Sequence, residues 1–495
     1  MATHKRSRTG CWTCREAGYK CDEQKPHCGR CMRLKITCKG YGVKLKWQDG
    51  NISTPAKKPR RTKRKTSMDQ DKGSSPTSTL SIPSTTATYT SPSFGEPSPD
   101  STYSLPLLPL ASSPSSSSLL SSDRWLLHYW VERLSNLISV APRKEHVTPF
   151  QLHLTAMVHD SAALRSTILS MAANHLALSS NDPSLRVQAY RYQQDAIHEL
   201  QDIVQDPEQA VTEPALATVL MMQVSARLFG GDNDGAVANH LAGAKAMISR
   251  RAASTHSSSS STSNFLLSLF AYHDILSSVS RGSRPLSDHD TNFAAVEGEA
   301  DMQSIAQVLL AVARISQLQH AIKERQSTEH TASLSEEEDA TGRDIQQTLL
   351  AMDFSSSKTV SDISLTAEAY RHAAFIYLYR TWLSIGAPNP ISMEHVTRCL
   401  SLVSFVPVSS PLTSAHIWPL FTAGCEAIDA SQRAFVEQRF EDMYEEKKFP
   451  SLRRVARDVR DVWGAKDAEQ EGMGMEKVDC IQVILRRRGR EVDLA

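Results

Sequence analysis

Two tandem copies of C-x2-C-x6-C in the first forty residues, fifty residues dominated by Ser, Thr and Pro, and about 370 residues of helically spaced apolar positions divide this chain. They predict a small zinc-stabilised module built on a binuclear cluster, a disordered linker and a large all-α domain, over residues 1–48, 49–122 and 123–495.

Cys11, Cys14 and Cys21 form the first copy, and Cys28, Cys31 and Cys38 repeat it at a constant offset of 17 residues. That repeat specifies a metal count. Two tetrahedral zinc ions need eight ligand positions, and the six thiolates fill eight only if two of them bridge both metals. No His or carboxylate is required. Structural zinc supplies roughly 10–16 kcal/mol per site, enough to fold a segment that has no core of its own. A disulfide framework would need a secreted context, yet the chain opens Met-Ala-Thr-His-Lys-Arg-Ser-Arg with no apolar signal segment behind the charges. A reducing compartment and thiolates on metal are expected instead. RING and zinc-ribbon patterns fit poorly, because they use one metal per four ligands and longer gaps. Cys399, Cys425 and Cys480 lack ligand spacing and read as small buried hydrophobes.

Charge is divided along the chain. Residues 1–65 hold 19 Lys and Arg against 4 Asp and Glu, a net of +15, and the remainder carries −14. Two zinc ions with six thiolates carry −2, so part of the basic charge offsets the cluster and a large surplus remains. A basic arm around a metal knot is the footprint of a polyanion partner. Nucleic acid is favoured over anionic membrane, which is usually met by an amphipathic basic helix, and none is present here.

In the linker, Lys57, Lys58, Arg60, Arg61, Lys63, Arg64 and Lys65 form a nuclear localisation patch or an extra phosphate-contacting arm. From Gly73 to Ser122, 33 of 50 residues are Ser, Thr or Pro, too few apolar groups to offset the entropy of ordering.

Order resumes at Asp123, expected to cap a helix over 123–138. Apolar periodicity predicts further helices near 160–178, 184–205, 213–229, 236–251, 264–280, 301–325, 343–353, 363–385, 391–404, 427–447, 450–463 and 475–488. No alternating strand pattern competes. Ser254–Ser263 and the acidic Glu336–Asp339 are expected to be surface excursions. The stretch Cys399–Cys425 holds no charged residue, but Pro407, Pro411 and Pro419 break it, so a buried helix–loop–helix is expected rather than a membrane span. Ile305, Val308, Val312, Ile315 and Ile322, spaced like heptads, read as core packing rather than a coiled coil.

The segment Thr9-Gly10-Cys11-Trp12-Thr13-Cys14-Arg15 through Lys25-Pro26 to Cys38-Lys39-Gly40-Tyr41 resembles the fungal zinc binuclear cluster, the DNA-binding module of fungal transcription factors. Downstream, Leu126–Ile138, Ala163–Leu178 and His240–Ile248 are similar to the helical fungal-specific transcription factor domain of one branch of that family. The resemblance implies that all six cysteines ligate two zinc ions, with Cys11 and Cys28 as the bridges. It also implies a short helix after each Cys-x2-Cys pair, the first placing its C-terminal end in the major groove. Many relatives carry consecutive basic residues there that read a CGG-type triplet. Here the stretch is Arg15-Glu16-Ala17-Gly18-Tyr19-Lys20, with Ala17 and Gly18 at the usual reading positions, which puts a CGG preference in question.

Lys20 is therefore the candidate for a base-edge contact, since Lys can donate to guanine O6 and N7. Arg15, Lys25, Arg30, Arg33 and Lys35 are assigned to phosphates, which position without specifying sequence. Tyr19 is expected in the core. No run of heptads follows Trp47, so the expected state is a monomer or a homodimer formed through the helical domain. The leading reading is a nuclear, sequence-specific DNA-binding regulator of RNA polymerase II genes, with transcription machinery or co-regulators as partners. Its alternative is a zinc-dependent protein-interaction module without DNA specificity. An enzyme is not expected: His153 and His159-Asp160 look like metal ligands, yet no His-Glu-x-x-His, Gly-x-Ser-x-Gly or phosphate-loop pattern occurs, and core or surface roles suffice for the remaining dispersed histidines. Control of a metabolic or secondary-metabolite gene set follows from the family analogy alone.

Overall fold

The computed structural model describes residues 11, 13, 14, 19, 21, 22, 24, 27–34, 36 and 38, then 121–139, 147–231, 240–253, 260–288, 300–329, 333–354, 361–470, 474 and 478–495. The chain divides into two compact units, 1–107 and 108–495. In the first, the described residues include helix α1 (Gly29–Arg33) and the helical pair Thr13-Cys14.

The second unit is all-helical among the described residues. Helix α2 (Ser121–Tyr129) passes through a π-turn (Trp130–Leu134) into α3 (Ser135–Ile138). There follow α4 (Pro149–Asp160), α5 (Ala162–Ser180), α6 (Pro183–Gln205), α7 (Glu213–Phe229), α8 (His240–Ala253), α9 (Ser261–Arg281), α10 (Ala300–Glu329), α11 (Glu336–Ala351) and α12 (Asp362–Trp382). Helices α13 (Pro390–Phe405), α14 (Ile417–Glu426), α15 (Ala430–Lys447), α16 (Pro450–Gln470) and α17 (Cys480–Arg488) complete the unit. The starts are written in the sequence. Thr148, Ser161, Asp182, Thr212, Ser260, Ser335, Ser361, Asn389 and Asp479 each accept a first-turn N–H on their side chain. Such a cap is worth about 1 kcal/mol over alanine.

Helices α5, α7 and α12 are apolar nearly all round and so become central. In α12, Tyr370, Ala373, Ala374, Phe375, Ile376 and Leu378 are all buried. The stripe Ile305, Val308, Val312, Ile315 and Ile322 of α10 is buried as well, in the same core as α12. At about 1.5–3 kcal/mol per buried side chain, packing is sufficient reason for that stripe. Gln319, which interrupts it, accepts from the Tyr377 hydroxyl at 3.2 Å. Cys399 lies buried between α12 and α14, near the Ala369 and Pro419 carbonyls, and Cys425 is buried too, whereas Cys480 is only half-buried. His153 stacks on Phe265 at 4.8 Å and bonds to Thr262, a structural role. The uncharged stretch around Pro407 forms a helix end, a 3-10 turn (Pro411–His416) and α14, all largely buried. No described helix is long and apolar enough to cross a membrane.

Several local expectations are corrected. Helix α4 precedes the predicted start at 160; its signals are the Thr148–Gln151 capping box and Pro149 at the first position. The acidic run Glu336–Asp339 is no loop but the first turn of α11, where carboxylates favour the helix dipole and Glu338 closes a box with Ser335. Ser260 caps α9, so the serine-rich insert ends inside the fold; residues 254–259 lie outside the described ones. Asp123 sits within α2 rather than capping it and accepts from Tyr192 on α6 at 2.5 Å. Of the expected linker, only Ser121 and Ser122 are described, and both belong to α2.

One buried ionic centre ties four elements together. Glu426 ends α14 and meets Lys466 of α16 at 2.8 Å and Arg380 of α12 at 2.6 Å. It also accepts the Ala387 N–H at 2.7 Å. Burial alone would raise the carboxyl, but Lys466 and Arg380 outweigh it and hold it at about 2. Glu426→Gln should lower unfolding free energy by about 3–5 kcal/mol, because Lys466 would be left buried without its counter-charge. Lys466→Met should cost clearly less, since Arg380 still faces the carboxylate; urea unfolding of the two variants compares them.

Mild acid should weaken the domain through its buried imidazoles. Burial lowers His273, His372 and His416 to about 3 and His175 and His395 to about 4, all below the ordinary 6.5. The unfolded chain therefore binds more protons between pH 6.5 and these values, and stability is lost as pH falls through that window. Asp458, raised by burial to about 6, and Glu199, also raised by burial, work in the opposite sense but are fewer than the imidazoles. The urea midpoint should fall from pH 7 to pH 5; an unchanged midpoint would contradict the burial of these imidazoles.

Candidate metal centre and nucleic-acid interface

The sulfurs of Cys11, Cys14, Cys21 and Cys28 lie within 4.8 Å of one another, and so do those of Cys11, Cys28, Cys31 and Cys38. Cys11 and Cys28 belong to both sets, 3.6 Å apart. Cys14 lies 3.7 Å from Cys28, and Cys11 lies 3.9 Å from Cys31. Five of the six are buried and Cys38 is half-buried, none in a disulfide. Burial pushes the Cys28 thiol up to about 12 and raises Cys11 further, so bare thiolates cannot collect here. A dication reverses that balance, because a coordinated thiol is deprotonated outright. Soft sulfur donors in two fourfold sets fit zinc, and the sharing of two donors lets six serve two ions.

The local fold explains how the sulfurs converge. Cys11 Sγ accepts the Cys14 N–H at 3.4 Å, and Cys28 Sγ accepts the Cys31 N–H at 3.3 Å. In each repeat the first cysteine thus caps the helical turn that delivers the second. Cys21 Sγ accepts the Cys11 N–H at 3.3 Å. The connection between repeats is fixed by Asp22, which nothing in the motif had singled out. Its carboxylate accepts from Gly29 N–H and Arg30 N–H, both at 3.0 Å, at the start of α1. Gly29 is small for that reason: a Cβ there would stand 2.7 Å from Asp22 Oδ2. An acid directly after the third cysteine of one repeat, with Gly after the first of the next, was the available signal.

Of the expected DNA contacts, Arg30 and Arg33 are described. Arg33 is exposed on α1. Arg30 is engaged within the module, its Nη1 3.8 Å from Cys14 Sγ and its guanidinium 3.9 Å from the Tyr19 ring centroid. Tyr19 is not core. It is 61% exposed, because six sulfurs already fill the interior, and its ring is a platform for Arg30. Arg15, Lys20, Lys25 and Lys35, with Ala17 and Gly18, lie outside the described residues, as do Lys57, Lys58, Arg60, Arg61, Lys63, Arg64 and Lys65.

A paired-metal cysteine module joined to a large helical domain defines a zinc cluster regulator, and the comparisons agree. The family of the fungal specific transcription factor domain matches residues 125–494, and the chain belongs to it. The fungal Zn(2)-Cys(6) binuclear cluster domain matches residues 9–48, so the cofactor is two zinc ions. Among similar proteins are the pestheic acid cluster transcriptional regulator 3 of Pestalotiopsis fici, 55% identical over 49 residues, and the arginine metabolism regulation protein II of Saccharomyces cerevisiae, 54% identical over 39. A third is the ustiloxin B cluster transcription factor of Aspergillus flavus, 43% identical over 49 residues. The matches cover 10%, 8% and 10% of this chain and 9%, 4% and 8% of those proteins, respectively. No solved structure matches.

Asp22→Ala should lower zinc affinity roughly tenfold, because the start of the helix that carries Cys31 loses the carboxylate holding its Gly29 and Arg30 N–H groups. Competition with a chromophoric chelator measures this, and helicity of the downstream domain should be untouched in both proteins.

Proposed function

We propose that this regulator is a nuclear, sequence-specific DNA-binding protein of RNA polymerase II genes, with residues 1–48 as the DNA-binding module and 123–495 as the regulatory domain. The observation that carries it is the pair of fourfold sulfur sets sharing Cys11 and Cys28 inside a segment of net charge +15. In this reading Cys11 and Cys28 bridge the two zinc ions, while Cys14, Cys21, Cys31 and Cys38 each bind one. The metals hold the helical turns in place and take no part in recognition. The basic surface does the binding: Lys20 to a base edge, with Arg15, Lys25, Arg33 and Lys35 on phosphates. Arg30 keeps a phosphate role only beside its contacts to Cys14 and Tyr19, so its loss would disturb the module as well as the interface. The patch Lys57–Lys65 serves nuclear entry. Transcription machinery or co-regulators are the partners of the helical domain, which is regulatory rather than catalytic. The names of the Pestalotiopsis and Aspergillus relatives support a secondary-metabolite gene set, and that of the yeast relative a metabolic one. A zinc-dependent protein-interaction module without DNA specificity is the second reading, favoured by Ala17 and Gly18 where relatives carry basic residues.

Selection from random duplexes should return a defined site. On that site Lys20→Ala should cost about 1–3 kcal/mol and relax preference at one base pair. Arg33→Ala should weaken all sequences alike and reduce the salt slope by about 1. Binding titrations at several salt concentrations decide; equal, sequence-independent losses for both variants would remove Lys20 from base reading.

A further inference from the structure

The cysteines of the helical domain are not alike. Cys399 is fully buried, with the Ala369 and Pro419 carbonyls 3.4 and 3.7 Å from its sulfur, and burial raises its thiol. It behaves as a small apolar side chain. Cys480 is half-buried at the first position of α17, and its sulfur lies 3.9 Å from Glu426 Oε1. Arg380 Nε reaches that same oxygen at 2.6 Å, while Lys466 Nζ holds the other at 2.8 Å. Cys425, the residue before Glu426 on α14, is buried, and its thiol hydrogen-bonds to Cys480. Two sulfurs 55 residues apart in the chain thus meet beside two cations.

Charge separates their roles. Lys466 and Arg380 face the single Glu426 carboxylate at the centre of the cluster, and the exposed Asp479 acts on Arg380 from its rim. A negative sulfur is therefore compatible with the site. The Cys425 thiol is the main cause that lowers Cys480 below the ordinary thiol value, and Lys466 and Arg380 add to it against burial and Glu426. Burial drives Cys425 the other way, well above that value. One thiol is set to react as a thiolate while its neighbour stays protonated, the pairing of an oxidisable cysteine with a resolving one. In a reducing compartment a bond between such residues is transient and redox-sensing rather than structural.

We propose that Cys425 and Cys480 form an oxidant-sensitive thiol pair, in which a peroxide oxidises Cys480 and Cys425 resolves the product to a disulfide within the chain. The Cys480 sulfur attacks one peroxide oxygen, the O–O bond breaks, and the other oxygen leaves as water with the proton that the thiol has given up. Cys425 then attacks the sulfur of the resulting sulfenic acid; the S–O bond breaks, the S–S bond forms, and the Cys425 proton leaves with the hydroxyl as a second water. Two thiols are oxidised and one peroxide is reduced to two waters. The bond requires the sulfurs to close to about 2.0 Å, which draws the first residue of α17 toward α14 and away from the Glu426 oxygen. Oxidation therefore acts on the same buried ionic centre that joins α12, α14 and α16, and it does so independently of DNA binding.

Hydrogen peroxide added to the zinc-loaded full chain, followed by alkylation, proteolysis and mass spectrometry, tests this. The expected product joins Cys425 to Cys480, lacks two hydrogens and reverts with dithiothreitol. Zinc content is followed in parallel, and the bond should form before the cluster releases metal. Cys399→Ala should leave the cross-link intact. In Cys425→Ala the sulfenic acid of Cys480 should persist and take a dimedone label, with circular dichroism confirming unchanged helix content. Lys466→Met should slow alkylation of Cys480 at pH 7 by about fivefold, because the thiolate loses a neighbouring cation. A Cys480 that stays reduced while zinc is lost overturns the proposal, as does a bond from Cys480 to any other cysteine. In Cys425→Ala, a Cys480 that takes no label overturns the assignment of the two roles.

Discussion

Two sulfur atoms 3.6 Å apart, those of Cys11 and Cys28, set the terms for everything in the amino-terminal module. At that separation neither can sit as a thiolate in a buried site without cations around it, and burial drives both toward the neutral form. Zinc is what makes six sulfurs compatible in one small volume. The backbone is arranged to serve this: peptide N–H groups of Cys14 and Cys31 point at the two shared sulfurs, and the Arg30 guanidinium reaches Cys14. All three supply positive potential where sulfur charge is greatest. Among its described residues the module thus has no hydrophobic core in the ordinary sense, and Tyr19 stands outside while the buried positions are the cysteines.

The large domain is held by the opposite economy. Its interior is apolar and helical, and several of its buried charges are paired across helices. Glu426 is the clearest case, a carboxylate at 1% exposure kept ionised by two cations from different helices. A second network joins Arg227 of α7 and Arg454 of α16 to Asp493, bringing the last residues of the chain against the core beside Val492 and Leu494. Buried pairs of this kind contribute little over apolar residues of the same shape, but they penalise any packing that separates the partners. They therefore specify which helices meet more than they add to stability.

How much of this could be read from the residues alone depended on the range of the interaction. The cysteine spacing, a local repeat, gave the donor set and metal count, and helical periodicity gave most of the helices. Boundaries slipped where a side-chain cap rather than periodicity decides, as at Thr148, Ser260 and Ser335. Asp123 looked like a cap and is a tertiary partner of Tyr192, sixty-nine residues away. Asp22 and Gly29 escaped notice because their meaning lies in a contact between repeats, which no linear motif displays.

Helix α1 is five residues long, far below the length at which a peptide helix outlasts its nucleation cost in water. Its first turn is closed by the Cys28 sulfur and the Asp22 carboxylate, so it has no existence apart from the loaded cluster. Metal occupancy and the presentation of Arg33 are consequently one equilibrium. The exposed helical face that carries Arg33 appears and vanishes as a unit with the metal.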